Sequence, residues 1–412
     1  MEYIFTERAH LMCPHMHFGI ALAVNQPYDE AKIRKAAEDL SAAHPFLSAF
    51  LGFEPGTNAY YYDVTDGSKT EILFMQQEIS GIGAPEVMEE YQKLTCRDWN
   101  LFEEGMLKIA AWKAAEKTCF LMVFHHLLAD GRGALRLSEE LADDYAFGIV
   151  PKAVPEKLIS SADDFPKDSR LPFISRLLVK KANKDWKKEN RTLSYGEYHA
   201  FADDFLRKDP VKYSLDTLSS DELEGVRTAC RGNKVSVNDW LMARMMLEEQ
   251  TGKVIMACDL RPRLACYQDG ALGNYSTAFS VELKKKEEDL YALAKEVHLR
   301  VQRKMNHPSE LYLVLQCCAA MEPGLLDAAL ISCRGDFASK SGRFIGSMFF
   351  GFASSEGYSI SNLGRVESSS IEEAYFIPPA SPAVKEIWGV LTVNNRMTIC
   401  TAKRNTTSEE NG

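Results

Sequence analysis

The residues best suited to chemistry in this chain are His125 and His126, followed by Asp130 and Gly131. An imidazole is the one side chain that can take and return a proton near neutral pH without help from its surroundings. A hydroxyl or amine attacking a carbonyl needs such a base. A nearby carboxylate can orient the base or anchor its loop to a cation. A glycine lets the backbone come close enough to offer an N–H to a developing oxyanion. No G-x-S-x-G segment occurs, so nothing points to a serine nucleophile elbow. The pattern instead suits direct transfer, with two substrates meeting at one base.

The elements that must position these residues follow from patterning. Residues 119–124 (CFLMVF) are uncharged, aromatic and branched, and read as a buried strand running into the histidines. Neighbours on a strand point to opposite faces, so His125 and His126 cannot both look into one cleft. His125 reads as a packed, hydrogen-bonded core histidine, with a second base as the sharper alternative, and His126 as the residue reaching substrate. Asp130-Gly131 marks a turn, and 133–145 a helix. Before the motif come a strand at 16–24, a helix at 29–44 capped by Asp29, strands at 60–64 and 71–75, a helix at 85–96 and a strand at 106–112. Prolines at 151, 155, 166 and 172 punctuate a linker. A basic segment, 176–191, reads as a solvated face or as a contact for CoA phosphates or an acidic carrier protein.

The second half restarts with capped helices after Ser219 and Ser236, then a strand at 254–258. Asp259-Leu260-Arg261-Pro262-Arg263 and Leu272-Gly273-Asn274-Tyr275 follow, and a strand at 276–283. Further on come a helix at 287–306, a helix at 308–333 in two pieces broken at Pro323-Gly324, and a strand at 358–364 that includes Ser361-Asn362-Leu363-Gly364. Strands 387–393 and 397–403 form a hairpin across Asn394-Asn395. Residues 406–412 are expected to lack order.

With these motifs in this order, the chain resembles the CoA-dependent acyltransferase superfamily: chloramphenicol acetyltransferase, condensation domains of peptide synthetases, alcohol acetyltransferases and polyketide-associated acyltransferases. The resemblance spans nearly the whole chain. It implies an α/β fold of two similar lobes, each a mixed sheet flanked by helices, with a tunnel between them. The N-terminal lobe, 1–172, carries the histidine motif. The C-terminal lobe, 173–412, carries the DLRPR, LGNY and SNLG segments. By the same resemblance His126 is the general base, and Asp130 turns away from substrate to pair with an arginine, for which Arg261 beside Asp259 is the candidate. Gly131 is a candidate oxyanion donor, and Ser361 or Asn362 could add a side-chain donor. Asn274 and Tyr275 are expected near the tunnel. The plant-type DFGWG segment is absent; Arg334-Gly335-Asp336-Phe337 is only an echo of it.

Composition sets the bounds. The 412 residues suit two domains, and 46% hydrophobic with 26% charged residues fits a globular protein. A net charge of −10 argues against nucleic acid as a partner. No apolar run reaches the length of a membrane span, and residues 1–10 lack signal-peptide shape. The ten cysteines show no framework spacing, and Cys119, Cys258 and Cys400 read as buried small hydrophobes. A cytoplasmic monomer is expected, since two lobes in one chain suffice for a tunnel. Cys13, His15 and His17 lack further ligands at metal spacing, so no metal is expected. Gly131-Arg132-Gly133 is not a dinucleotide fingerprint, because Arg136 stands where it needs glycine.

The sequence thus points to an acyltransferase that moves an acyl group from acyl-CoA or an acyl-phosphopantetheine arm to a small alcohol or amine acceptor. No permanently bound cofactor is expected, and an acyl carrier protein is a possible partner. The alternatives are a non-catalytic condensation-like module that docks a carrier protein, and an enzyme that epimerises or cyclises a tethered acyl group.

Overall fold

His17–Val24 and Lys117–His125 pair antiparallel along their whole length, with Phe18 opposite Phe124 and His17 opposite His125. Both are buried on both faces and so read as continuous apolar runs rather than alternating ones. They are two of the three inner strands of a five-stranded sheet ordered Ile371–Ile377, His17–Val24, Lys117–His125, Leu107–Ala114, Glu71–Phe74. The computed structural model describes residues 2–64, 70–284 and 287–404; the tail expected to lack order lies outside them.

A six-stranded sheet forms the other lobe, ordered Ser276–Glu282, Lys253–Asp259, Gly357–Val366, Val384–Val393, Arg396–Arg404, Val211–Leu218. Gly357–Val366 runs parallel to both of its neighbours, and the remaining pairs in this sheet are antiparallel. A small three-stranded sheet (Glu2–Tyr3, Ala59–Asp63, Phe50–Glu54) covers one end of the first lobe. Thirteen α-helices flank the sheets among the described residues. The fold class is the expected one, a mixed α/β arrangement of two sheet-centred lobes.

One strand crosses the boundary expected at residue 172. Ile371–Ile377 leaves the second half of the chain and adds to the edge of the first sheet, pairing Ala374 with Leu22 and Phe376 with Ile20. Its residues, IEEAYFI, carry no sign of which sheet it joins.

Other differences are local. The expected two-piece helix at 308–333 is three helices, Pro308–Leu311, Leu313–Ala320 and Pro323–Arg334, because the chain also breaks at Tyr312. The strand at 358–364 runs on to Val366 through a bulge between Asn362 and Arg365. The closing hairpin forms as read, with Asn394 and Asn395 both at positive φ, 47° and 65°. The sequence reading did not anticipate helices Tyr195–Lys208 and Lys340–Met348 or strands Phe50–Glu54, Val211–Leu218 and Ile371–Ile377. Cys119, Cys258 and Cys400 are buried within strands.

Candidate active site

Lys117–His125 ends at the first histidine, and the alternation expected there is what divides the pair. His125 is buried; its Nδ1 accepts from the Leu127 N–H at 3.1 Å, which places the ring proton on Nε2. Burial and, after it, the neighbouring His126 push its pKa down to about 3. It meets the edge of His17 and does not reach the cavity beside His126. Its side chain is thus turned into the core, on the side of the strand opposite to the cavity.

His126 is half-buried and lines a cavity of about 420 Å³. Its orientation comes from Asn274. The Asn274 side-chain N–H₂ donates to the carbonyls of His126 and Leu127, each at 3.0 Å, so Oδ1 must be the atom 3.0 Å from His126 Nδ1. An amide oxygen can only accept, so Nδ1 carries the ring proton and Nε2 is left basic. Burial lowers the His126 pKa; Asp130 and the Asn274 hydrogen bond oppose that shift. The ring is therefore neutral at pH 7.

Asp130 caps helix Gly131–Phe147. Oδ1 accepts from Gly133 N–H at 2.9 Å and from Arg261 at 2.8 Å; Oδ2 accepts from Arg261 at 2.9 Å and from Tyr275 N–H at 2.8 Å. Burial alone would raise the pKa of this carboxyl, and the Arg261 guanidinium with these bonds lowers it instead. Arg261 also donates to Asp259 at 3.1 Å and lies over the rings of Tyr267 and Tyr275. The pair joins the two halves of the chain directly beneath the motif.

Gly131 is needed for a reason the sequence did not show. A Cβ there would lie 2.5 Å from Leu363 Cδ2. The bulge at Leu363-Gly364, where Gly364 has φ +87°, pushes Leu363 out of its own sheet and into the core of the first lobe. Arg132 donates to the Leu363 carbonyl and fastens the same crossing.

Ser361, Asn362 and Asp259 line the cavity with His126, together with Phe18, Met256, Cys258, Val301, Met305 and Phe376. The Asn362 N–H₂ already donates to Asn238 Oδ1 at 2.6 Å, whereas Ser361 has its hydroxyl available in the wall. Tyr275 does not reach the cavity. Its ring packs beneath Arg261 and its hydroxyl bonds the Lys157 carbonyl, because the residues after Gly273 turn the pair Asn274-Tyr275 in opposite directions. Asn274 likewise acts on His126 and not on the cavity wall. Among the described residues, no group of three or more histidine, cysteine, aspartate or glutamate side chains is placed to hold a metal ion. A second cavity, about 1010 Å³ beside Phe201, Arg334 and Arg404, includes none of the residues from His125 to Gly131.

Sequence reasoning missed His10. It stacks on His126 with ring centroids 4.2 Å apart and planes 18° apart. A lone histidine in a short helix more than a hundred residues away carries no local signal of this contact.

No family model and no curated protein sequence matches the chain. Solved structures do match in fold. The first condensation domain of the CDA synthetase aligns at TM-score 0.58 with 13% identity, covering 98% of this chain and 90% of that one. Polyketide synthase associated protein 5 from Mycobacterium tuberculosis aligns at 0.56 with 12% identity, covering 99% and 93%. The epimerization domain from the third module of tyrocidine synthetase B aligns at 0.56 with 14% identity, covering 97% and 87%. With these neighbours and two joined sheet lobes beside one histidine-lined cavity, the chain has the fold of condensation and epimerization domains and of polyketide synthase associated protein 5.

Proposed function

We propose that this protein is an acyltransferase in which His126 is the general base. One observation carries the reading: Asn274 holds the proton on Nδ1, leaving a neutral, basic Nε2 on a residue that lines a cavity between the lobes. An acceptor hydroxyl or amine loses its proton to Nε2 as its oxygen or nitrogen attacks the thioester carbonyl carbon. The oxyanion so formed is met by the Gly131 N–H and the Ser361 hydroxyl. The C–S bond then breaks and the leaving thiolate takes the proton from Nε2. No covalent enzyme intermediate is involved, and Asp130 with Arg261 holds the motif loop in place.

The donor is acyl-CoA or an acyl-phosphopantetheine arm on a carrier protein. A carrier is favoured by helix Phe173–Glu189, where Arg176, Lys180, Lys184 and Lys187 line one groove on a chain whose net charge is −10.

The test is release of free thiol from a panel of acyl-CoAs with pooled alcohols and amines, for wild type and His126→Ala. Acceptor-dependent release should fall by at least about 100-fold in the variant, the usual worth of a positioned base. Release that survives the substitution would overturn the reading. In the same assay with acyl-carrier donors, reversing the charges of Lys180, Lys181, Lys187 and Lys188 should raise the donor KM. An unchanged KM removes the carrier contact from this helix.

A further inference from the structure

His126 has two faces and one anchored edge. Asn274 secures the edge at Nδ1, but a single hydrogen bond leaves the ring free to rock about the line joining Nδ1 to Oδ1. The His10 ring lies flat against one face, 4.2 Å away and 18° from parallel. Phe18 stands edge-on at 5.2 Å and 65°. Together the three contacts leave the imidazole plane a single setting.

The helix that brings His10 there is short, only Arg8–Leu11, and it is pinned from outside. Arg8 makes a two-point pair with Asp327 in helix Pro323–Arg334, at 2.8 and 2.6 Å, with both side chains almost wholly buried. The same guanidinium donates to the Asn58 carbonyl, and Leu11 is packed in the core of the first lobe. Sliding this helix would strand a buried charge. Burial also pushes the His10 pKa well below the ordinary value, and charge on His126 would lower it further. The stacked ring thus stays neutral when its neighbour is charged. A second imidazolium stacked there would repel the charged ring, and a neutral one does not.

We propose that His10 is a positioning residue for His126, holding the imidazole plane and keeping water from one face while Nε2 takes and returns the proton. The proposal rests on the reading of His126 as the base. His10 does not touch the reacting atoms in this scheme.

The experiment uses the full chain with His10→Ala and His10→Phe. His10→Ala should lower kcat about 10-fold, in line with the sensitivity of proton transfer to small misplacements, with little change in KM. Its acidic pH limb should move up, because water then reaches the open face and His126 returns toward an ordinary imidazole. His10→Phe keeps an aromatic face and should restore both. Nitrogen-15 NMR of histidine-labelled protein gives the His126 tautomer and pKa without any turnover. It should show Nδ1–H in wild type and a raised His126 pKa in His10→Ala. A wild-type limb and an unchanged His126 titration in His10→Ala overturn the proposal. If His126→Ala keeps its turnover, the general-base reading falls by itself, and the NMR titration still decides whether His10 sets the ring. Should His10→Ala fail to fold, His10→Leu keeps the face covered without a flat ring: it should lower kcat and leave the acidic limb in place, and a wild-type kcat in it would overturn the proposal.

Discussion

At the scale of single residues the site depends on one amide. Asn274 spends both N–H groups on backbone carbonyls, and this is what forces its oxygen toward His126. Asn274→Ala removes that constraint, and the imidazole can then present the wrong nitrogen. Turnover should fall at least about 100-fold, mostly in kcat, since losing the partner that fixes a catalytic histidine's tautomer can cost as much as about 10,000-fold. The pH profile gives a second reading. The base works when neutral, and burial lowers the His126 pKa, so wild-type activity should persist below pH 6.5. Asn274→Asp puts a carboxylate beside Nδ1, which favours the imidazolium. Its acidic limb should move to higher pH. A limb that stays put would mean that Asn274 is not the partner that sets the ring.

At the scale of elements, the strand carrying the histidines and the helix that follows are locked by Asp130 and Arg261. Four hydrogen bonds converge on one buried carboxylate, two of them from a guanidinium in the other half of the chain. Removing one partner strands the other. Asp130→Ala should therefore cost about 3–5 kcal/mol, the usual range for breaking a buried pair. Combining it with Arg261→Met should recover part of that loss, since no charge is then left unpaired. Urea denaturation of the single and double variants decides the matter: a double variant no more stable than Asp130→Ala would refute the pairing as the main term. The proximity of Gly131 to Leu363 belongs to the same scale. It is a contact between a helix start and a strand bulge, and neither element shows it alone.

At the scale of the whole molecule, the stretch expected to be a linker is a strap. Leu158 is buried in the core around the first sheet and its neighbour Ile159 in the core around the second. Glu156 accepts from the Phe46 N–H, and Lys157 receives the Tyr275 hydroxyl through its carbonyl. His44 sits where the strap, helix Glu30–Ala43 and helix Gly131–Phe147 meet, 2.7 Å from Glu140 and 3.7 Å from Glu156. Burial by itself would lower the His44 pKa; the two carboxylates outweigh it and raise it to about 9. A raised histidine contributes stability that is complete below its unfolded value of about 6.5 and is lost as pH rises through about 9. The shift corresponds to roughly 3 kcal/mol at most. Thermal unfolding of wild type and His44→Gln should therefore differ most near pH 6 and converge above pH 9. A constant gap across that range would show that His44 does not act through its charge.

The sequence by itself determined the core strands, the capped helices and the opposite facing of His125 and His126, because period, capping and strand alternation are local properties of the chain. The motif at 125–131 and the arginine at 261 could also be named from order and spacing. What only the tertiary structure decided is everything that depends on which distant surfaces meet. Ile371–Ile377 joins the first sheet because its edge is where a strand can still pair, and no residue within the strand records that choice. Tyr275 moved from the cavity wall to the support of Arg261, Asn274 moved from the wall to His126, and His10 reached His126 from the first turn of the chain. The Asn274 and His10 contacts join segments more than a hundred residues apart, and Tyr275 meets Arg261 across the loop between two strands; in each case side-chain direction is set by tertiary packing and not by the local pattern.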